Sequence, residues 1–225
     1  MVLALLGTTF FATSYAADLW IQPDPAKVQP GKRVDLRLYE GSPFGGEELP
    51  FKPDEATLFQ RLWKGGRVNA NNPEGSKPAA RFNPDRPGVH MVVYSSAAGD
   101  RFCKAFVVVG AAPEGDPLRW SELGQTLEII PQTDPAILAR AGGTLEVQIL
   151  FDREPLAGAR VTAIPEADSE AGPRSKITDE IGVVRFRLDR PGRWMIRVAH
   201  RGPCEGCGEK APESFAATLV LAAGP

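Results

Sequence analysis

The octet Arg81-Phe82-Asn83-Pro84-Asp85-Arg86-Pro87-Gly88 returns as Arg185-Phe186-Arg187-Leu188-Asp189-Arg190-Pro191-Gly192, with six of eight positions identical. Each copy runs into an apolar, strand-like stretch, Val89 to Tyr94 and Trp194 to Ala199. An internal repeat of this kind predicts two related β-units, about a hundred residues apart, that can be read against each other. After Asp-Arg-Pro-Gly, side chains alternate between faces. Trp194, Ile196 and Val198 therefore form a core face, and Arg193, Met195 and Arg197 point the other way. In the first copy the core face becomes His90, Val92 and Tyr94, so His90 occupies the position of Trp194.

The rest of the chain agrees with a β-fold. The 23 glycines and 21 prolines suit many short strands joined by turns. Val34 to Leu38 alternates as a half-buried strand, Ala56 to Trp63 is a further candidate, and Gly65 to Pro78 reads as loop. Phe102 to Val109, Leu127 to Ile130, Thr144 to Phe151, Ala159 to Ile164, Val183 to Leu188, Gly192 to His200 and Ser214 to Leu221 are expected strands. Asp134-Pro135 predicts a capped helical turn with proline at its first position. The expected fold class is all-β, two immunoglobulin-like β-sandwich domains in tandem. Their boundaries are residues 17–110 and 125–225, with residues 111–124 as linker.

Residues 2 to 16 form an apolar stretch ending in Ser14-Tyr15-Ala16, a small-x-small cleavage site, and residues 1–16 read as a secretory signal. They are too short to span a bilayer. The missing basic n-region leaves open a start further upstream, and a buried first strand is the competing reading. Cleavage after Ala16 gives a mature chain beginning Ala17-Asp18-Leu19-Trp20 and a periplasmic or exported location. With 26 basic and 28 acidic residues, there is no electrostatic footprint for nucleic acid.

Chemistry concentrates after the second repeat. His200, Cys204 and Cys207 form His-x3-Cys-x2-Cys, three metal donors within eight residues, with Glu205 or Glu209 able to complete a shell. Cys204 and Cys207 read equally as a local disulfide stapling an exposed loop, or as free thiols. His90 is either a ligand or a satisfied core histidine. Asp85 and Asp189 read as turn residues bonding nearby backbone, and the four tryptophans as core, with Trp63 the one candidate for a sugar platform. No nucleophile elbow, zinc-protease helix or phosphate loop is present, so no enzyme is expected.

Several ordered pieces resemble one bacterial exported family, a domain of unknown function labelled the periplasmic component of cobalt or nickel ABC-type uptake systems (NikM-like). These are the opening Asp18-Leu19-Trp20-Ile21-Gln22-Pro23, the strand from Lys104-Ala105, and Leu127-Glu128-Ile129-Ile130-Pro131 followed by Asp134-Pro135. Leu150-Phe151-Asp152 with Pro155 to Ala159, Thr178-Asp179, Gly192-Arg193-Trp194 to His200, and Glu213 to Leu219 complete the set. The resemblance implies a two-domain β-protein tied to divalent metal uptake, with nickel or cobalt as the ion and membrane metal transporter components as partners. His200 matches the histidine ending the family's tryptophan strand. Two departures stand out: Ala17 replaces the opening histidine, and the first domain lacks a longer, partly helical insertion. Reduced cysteines here favour zinc or copper(I) over cobalt. The expected function is metal handling by a non-enzymatic periplasmic accessory protein. The alternative is an envelope binding or scaffold module for a protein or glycan partner, without metal.

Overall fold

The computed structural model describes residues 17–61, 67–69, 77–111, 122–166, 172–204, 207 and 212–224. The expected signal (residues 1–16), Trp63, Trp120, Glu205, Glu209 and most of the expected linker lie outside them.

The chain is all-β. The first half contains β1 (Asp18–Asp24), β2 (Lys27–Val28), β3 (Val34–Gly41), β4 (Glu47–Leu49), β5 (Ala56–Arg61), β6 (Arg67–Asn69), β7 (Ala80–Phe82), β8 (Gly88–Ser96) and β9 (Arg101–Val109). The second contains β10 (Leu127–Pro131), α1 (Pro135–Ala141), β11 (Gly143–Phe151), β12 (Glu154–Pro155), β13 (Arg160–Pro165), β14 (Arg174–Ile177), β15 (Val183–Leu188), β16 (Gly192–Arg201) and β17 (Ser214–Ala223). The capped helix forms as its sequence predicts: the Asp134 carboxylate accepts the Ala136 N–H, and Gly142, at φ 62°, ends the turn. Strand β6 lies in the stretch expected to be loop. It is a three-residue segment whose register, among the described residues, comes from pairing with β5.

Strand pairing repeats between the halves. β3 pairs β1, β4 and β7, and β11 pairs β10, β12 and β15. The remaining strands build one nine-stranded sheet, ordered β14-β13-β16-β17-β9-β8-β5-β6, with β2 also beside β9. The junction is the parallel ladder of β17 on β9, Ala216 opposite Arg101 through Val220 opposite Ala105. The last strand of the expected first domain is thus hydrogen-bonded to the last strand of the expected second.

This junction decides the core. Equivalent positions of the two halves serve opposite faces of the shared sheet: Val92 lies in one core and Ile196, its counterpart in the repeat, in the other. Val92, Tyr94, Cys103, Ala105, Val107 and Val109 pack with β1 and β3, together with Ile164, Met195 and Val220 of the second half. Val89, Met91, Val93, Phe102, Phe106 and Val108 pack on the opposite face with Trp194, Ile196, Val198, β10 and α1. β8 and β9 are therefore buried on both faces, as near-continuous apolar runs require. The sequence expectation of a single core face needs correction on this point. Met195, expected to point away from the core, is fully buried because β1 extends across both β9 and β17.

The Asp189 carboxylate keeps a local backbone contact, with its own N–H, as expected of a turn aspartate. Both of its oxygens also accept from Arg174 Nη2 of β14, at 2.9 and 2.8 Å. Arg174 and Lys176 further donate to the carbonyls of Arg187 and Arg185, at 2.8 Å each, so side chains of edge strand β14 close the free edge of β15.

Candidate functional site

Because β9 and β17 run parallel, the connections that precede them emerge at the same end of the shared sheet. The Ala216 N–H donates to the Asp100 carbonyl at 2.8 Å, seating the β8–β9 turn beside the start of β17. Gln125 ties the following segment to that end, its amide donating to the Tyr94 carbonyl at 3.1 Å and to Ser95 Oγ at 3.0 Å. Here too lies a cleft of about 390 Å³, lined by Leu38, Glu40, Leu49, Phe51, Lys52 and Tyr94 among others. Glu40 is held by Arg101, and Lys52 by Glu55 at 2.9 Å. Burial pushes the Tyr94 phenol up to about 12, so it stays a neutral hydrogen-bonding group.

All three residues of the expected metal motif lie at this end. His200 is opposite Phe215 in the β16–β17 hairpin. Its ring tilts against Phe151 at 4.3 Å, and Phe151 meets Phe215 edge-on at 5.1 Å. A Cβ on Gly202 would lie 3.0 Å from His200 Nε2, so the chain passes close over the ring at this position. Desolvation holds the His200 imidazolium below the ordinary histidine range and favours the neutral ring.

Cys204 and Cys207 are joined in a disulfide, Cα atoms 5.4 Å apart. The Cys207 N–H closes the turn on the Cys204 carbonyl at 3.3 Å, and Cys207 Sγ lies 3.7 Å from Thr126 Oγ1. Cys204 is buried against the core and Cys207 partly so. In this oxidised state neither sulfur is a thiolate ligand. Among the described residues no group of three or more His, Cys, Asp or Glu side chains is placed to hold a metal ion. Cys103 is a free, buried thiol donating to the Leu19 carbonyl at 3.4 Å, and desolvation raises it to about 12. His90 is buried with Nε2 2.9 Å from the Arg86 carbonyl, which is the satisfied core histidine of the sequence analysis.

Sequence reasoning missed one pair. Lys104 of β9 and Glu128 of β10 form an ion pair at 2% and 0% side-chain exposure. The Glu128 carboxylate also accepts the Leu123 and Gly124 N–H groups, at 2.8 and 3.0 Å, and Lys104 donates to the Ile129 carbonyl at 3.2 Å. An isolated lysine inside an apolar strand was the only available signal.

Strand pairing and sheet stacking define an immunoglobulin-like β-sandwich protein. The profile of a family described as a domain of unknown function (DUF4198) matches residues 99–202, from the β8–β9 turn to the end of β16. That span crosses both halves and includes His200. No curated protein matches the chain. Among solved structures, the D0-D1 domain of intimin is 12% identical, with a TM-score of 0.23, covering 92% of this chain and 99% of its own. A two-domain fibronectin type-III segment of chicken tenascin is 13% identical, with a TM-score of 0.27, covering 92% of this chain and 98% of its own. The Salmonella alpha-2-macroglobulin reacted with methylamine is 14% identical, with a TM-score of 0.29, covering 94% of this chain and 15% of its own. With scores this low, the ground for the fold is the strand pairing itself.

Proposed function

We propose that this chain is an exported, non-enzymatic module of two immunoglobulin-like units, acting in the bacterial envelope by binding a protein or glycan partner through one composite end. The observation that carries this reading is the parallel β9–β17 ladder, which sets the β8–β9 turn of one half beside the start of β17 in the other. Loops clustered at one end of a rigid sandwich are a common recognition surface. The Cys204–Cys207 disulfide supports an oxidising location outside the cytoplasm. A photo-crosslinking residue placed in living cells at Ala97 or Glu213 is expected to capture a partner, and one at Arg86, at the far end of β8, is not. Equal capture at both ends, or none at either, rejects the composite end.

A second reading is favoured by His200, whose burial keeps its imidazole neutral and fit to coordinate. It is metal handling for uptake, with His200, Cys204 and Cys207 as ligands once the disulfide is reduced, and membrane metal transporter components as partners. Nickel and cobalt are the ions of that reading, with zinc or copper for the reduced thiols. Titration of residues 17–225 in oxidised and reduced form, beside His200→Ala, separates the two. Stoichiometric binding lost in the variant puts metal handling first. No binding tighter than about millimolar, roughly 4 kcal/mol, removes it.

A further inference from the structure

We infer that the buried Lys104–Glu128 pair is a register lock: it selects the fused arrangement of the two halves over arrangements in which each half stands alone or pairs differently. In a free-standing first half, the face of β8 and β9 carrying Val89, Met91, Val93, Phe102, Phe106 and Val108 would meet solvent. The second half covers that face with β10 and α1. Apolar contacts of this kind are non-directional and tolerate sliding or exchange with another copy. Lys104 is the one charged side chain on this face of β9, and its counter-ion is supplied by the first strand of the second half. Only the observed register satisfies both charges. The carboxylate also fixes the chain entering β10, through the Leu123 and Gly124 N–H groups. A slip of β10 parts the two charges and leaves a lysine and a glutamate buried without their counter-ions, which is strongly unfavourable, whereas an apolar pair imposes no such condition. The two halves are thereby held so that their loops form one surface, in one geometry.

The test is hydrogen exchange on the full chain from residue 17, comparing wild type with Glu128→Gln and with Lys104→Met/Glu128→Gln, in which the glutamine still accepts a backbone N–H. In the double variant, amides of Ala216 to Val220 that face β9 are expected to exchange at least about tenfold faster, while the β8–β9 and β16–β17 ladders keep their protection. In Glu128→Gln, with Lys104 left buried without its counter-ion, the same amides are expected to lose protection first. Uniform loss across all ladders in either variant overturns the lock, since the pair then merely stabilises the fold. So does a double variant with wild-type protection of the β9–β17 ladder. A double variant that fails to fold also overturns it, because a lock selects between folded arrangements and is not needed for folding.

Discussion

His90 and Trp194 make the same hydrogen bond at equivalent places in the two halves: each ring nitrogen reaches the carbonyl four residues upstream, Arg86 at 2.9 Å and Arg190 at 3.1 Å. The repeated Asp-Arg-Pro-Gly turn exposes that carbonyl inward, and a buried acceptor there needs a donor. Two residue types of different size serve because only the donor position is shared.

Replacing His90 by Phe is therefore expected to destabilise the chain by about 1–3 kcal/mol, the cost of leaving the Arg86 carbonyl unpaired. Trp194→Phe is expected to fall in the same range, with added loss from its smaller ring. Urea denaturation checks both, and an unchanged midpoint in either variant contradicts the shared role.

Gly46 packs against Trp20. A Cβ there would lie 2.4 Å from the Glu40 carbonyl oxygen and 2.6 Å from the indole. Trp20 is buried between that glycine, Tyr39 stacked at 5.3 Å and Phe44 edge-on at 6.3 Å. Gly46→Ala is expected to cost about 1–3 kcal/mol by overpacking and to red-shift tryptophan emission as water reaches Trp20. Unaltered emission and stability would show that the 42–46 turn yields freely.

His200 makes stability pH-dependent. Its folded-state pKa lies below the unfolded value of 6.5 because the ring is desolvated. Above 6.5 it is neutral in both states and adds no pH dependence. As pH falls through 6.5 towards the folded pKa, the unfolded chain takes up the proton first, so stability drops. Denaturation midpoints between pH 7.5 and 5 are expected to fall less steeply in His200→Gln than in wild type, and parallel curves would remove the effect.

Cys103 is expected to resist alkylation in the native state, its thiol being fully buried and raised to about 12. Mass spectrometry after iodoacetamide at pH 8 should find it unmodified until denaturant is added. Native labelling would mean that the β1–β9 contact opens readily.

Breaking the disulfide with Cys204→Ala/Cys207→Ala is expected to cost about 2 kcal/mol or less, since so short a loop restrains little of the unfolded chain. Far-UV circular dichroism should be unchanged. A collapse of the β-signal would show that the β16–β17 connection holds more of the core than its contacts indicate.

The candidate site was partly legible. His200, Cys204 and Cys207 are neighbours in sequence, so their common location at the end of β16 needed no long-range information. The bonding between the two sulfurs was open, because one spacing serves a turn disulfide and a metal knuckle alike. Lys104 and Glu128 were each visible as parts of strand motifs, but 24 positions separate them, and nothing in either strand names the other.

The order of residues was enough for the longer apolar strands, the capped helix and the repeated turn, whose Gly88 and Gly192 take φ of 137° and 119°. These features rest on local sterics and on the alternation of neighbouring side chains, which the order of residues states directly. Tertiary structure alone decided that β9 would join β17, that Met195 and Phe106 would both be buried, and that the faces of the shared sheet would serve different halves. An edge strand offers the same row of N–H and C=O groups to any partner. The choice among partners follows from which apolar surfaces end up covered, a property of the assembled halves and not of either strand.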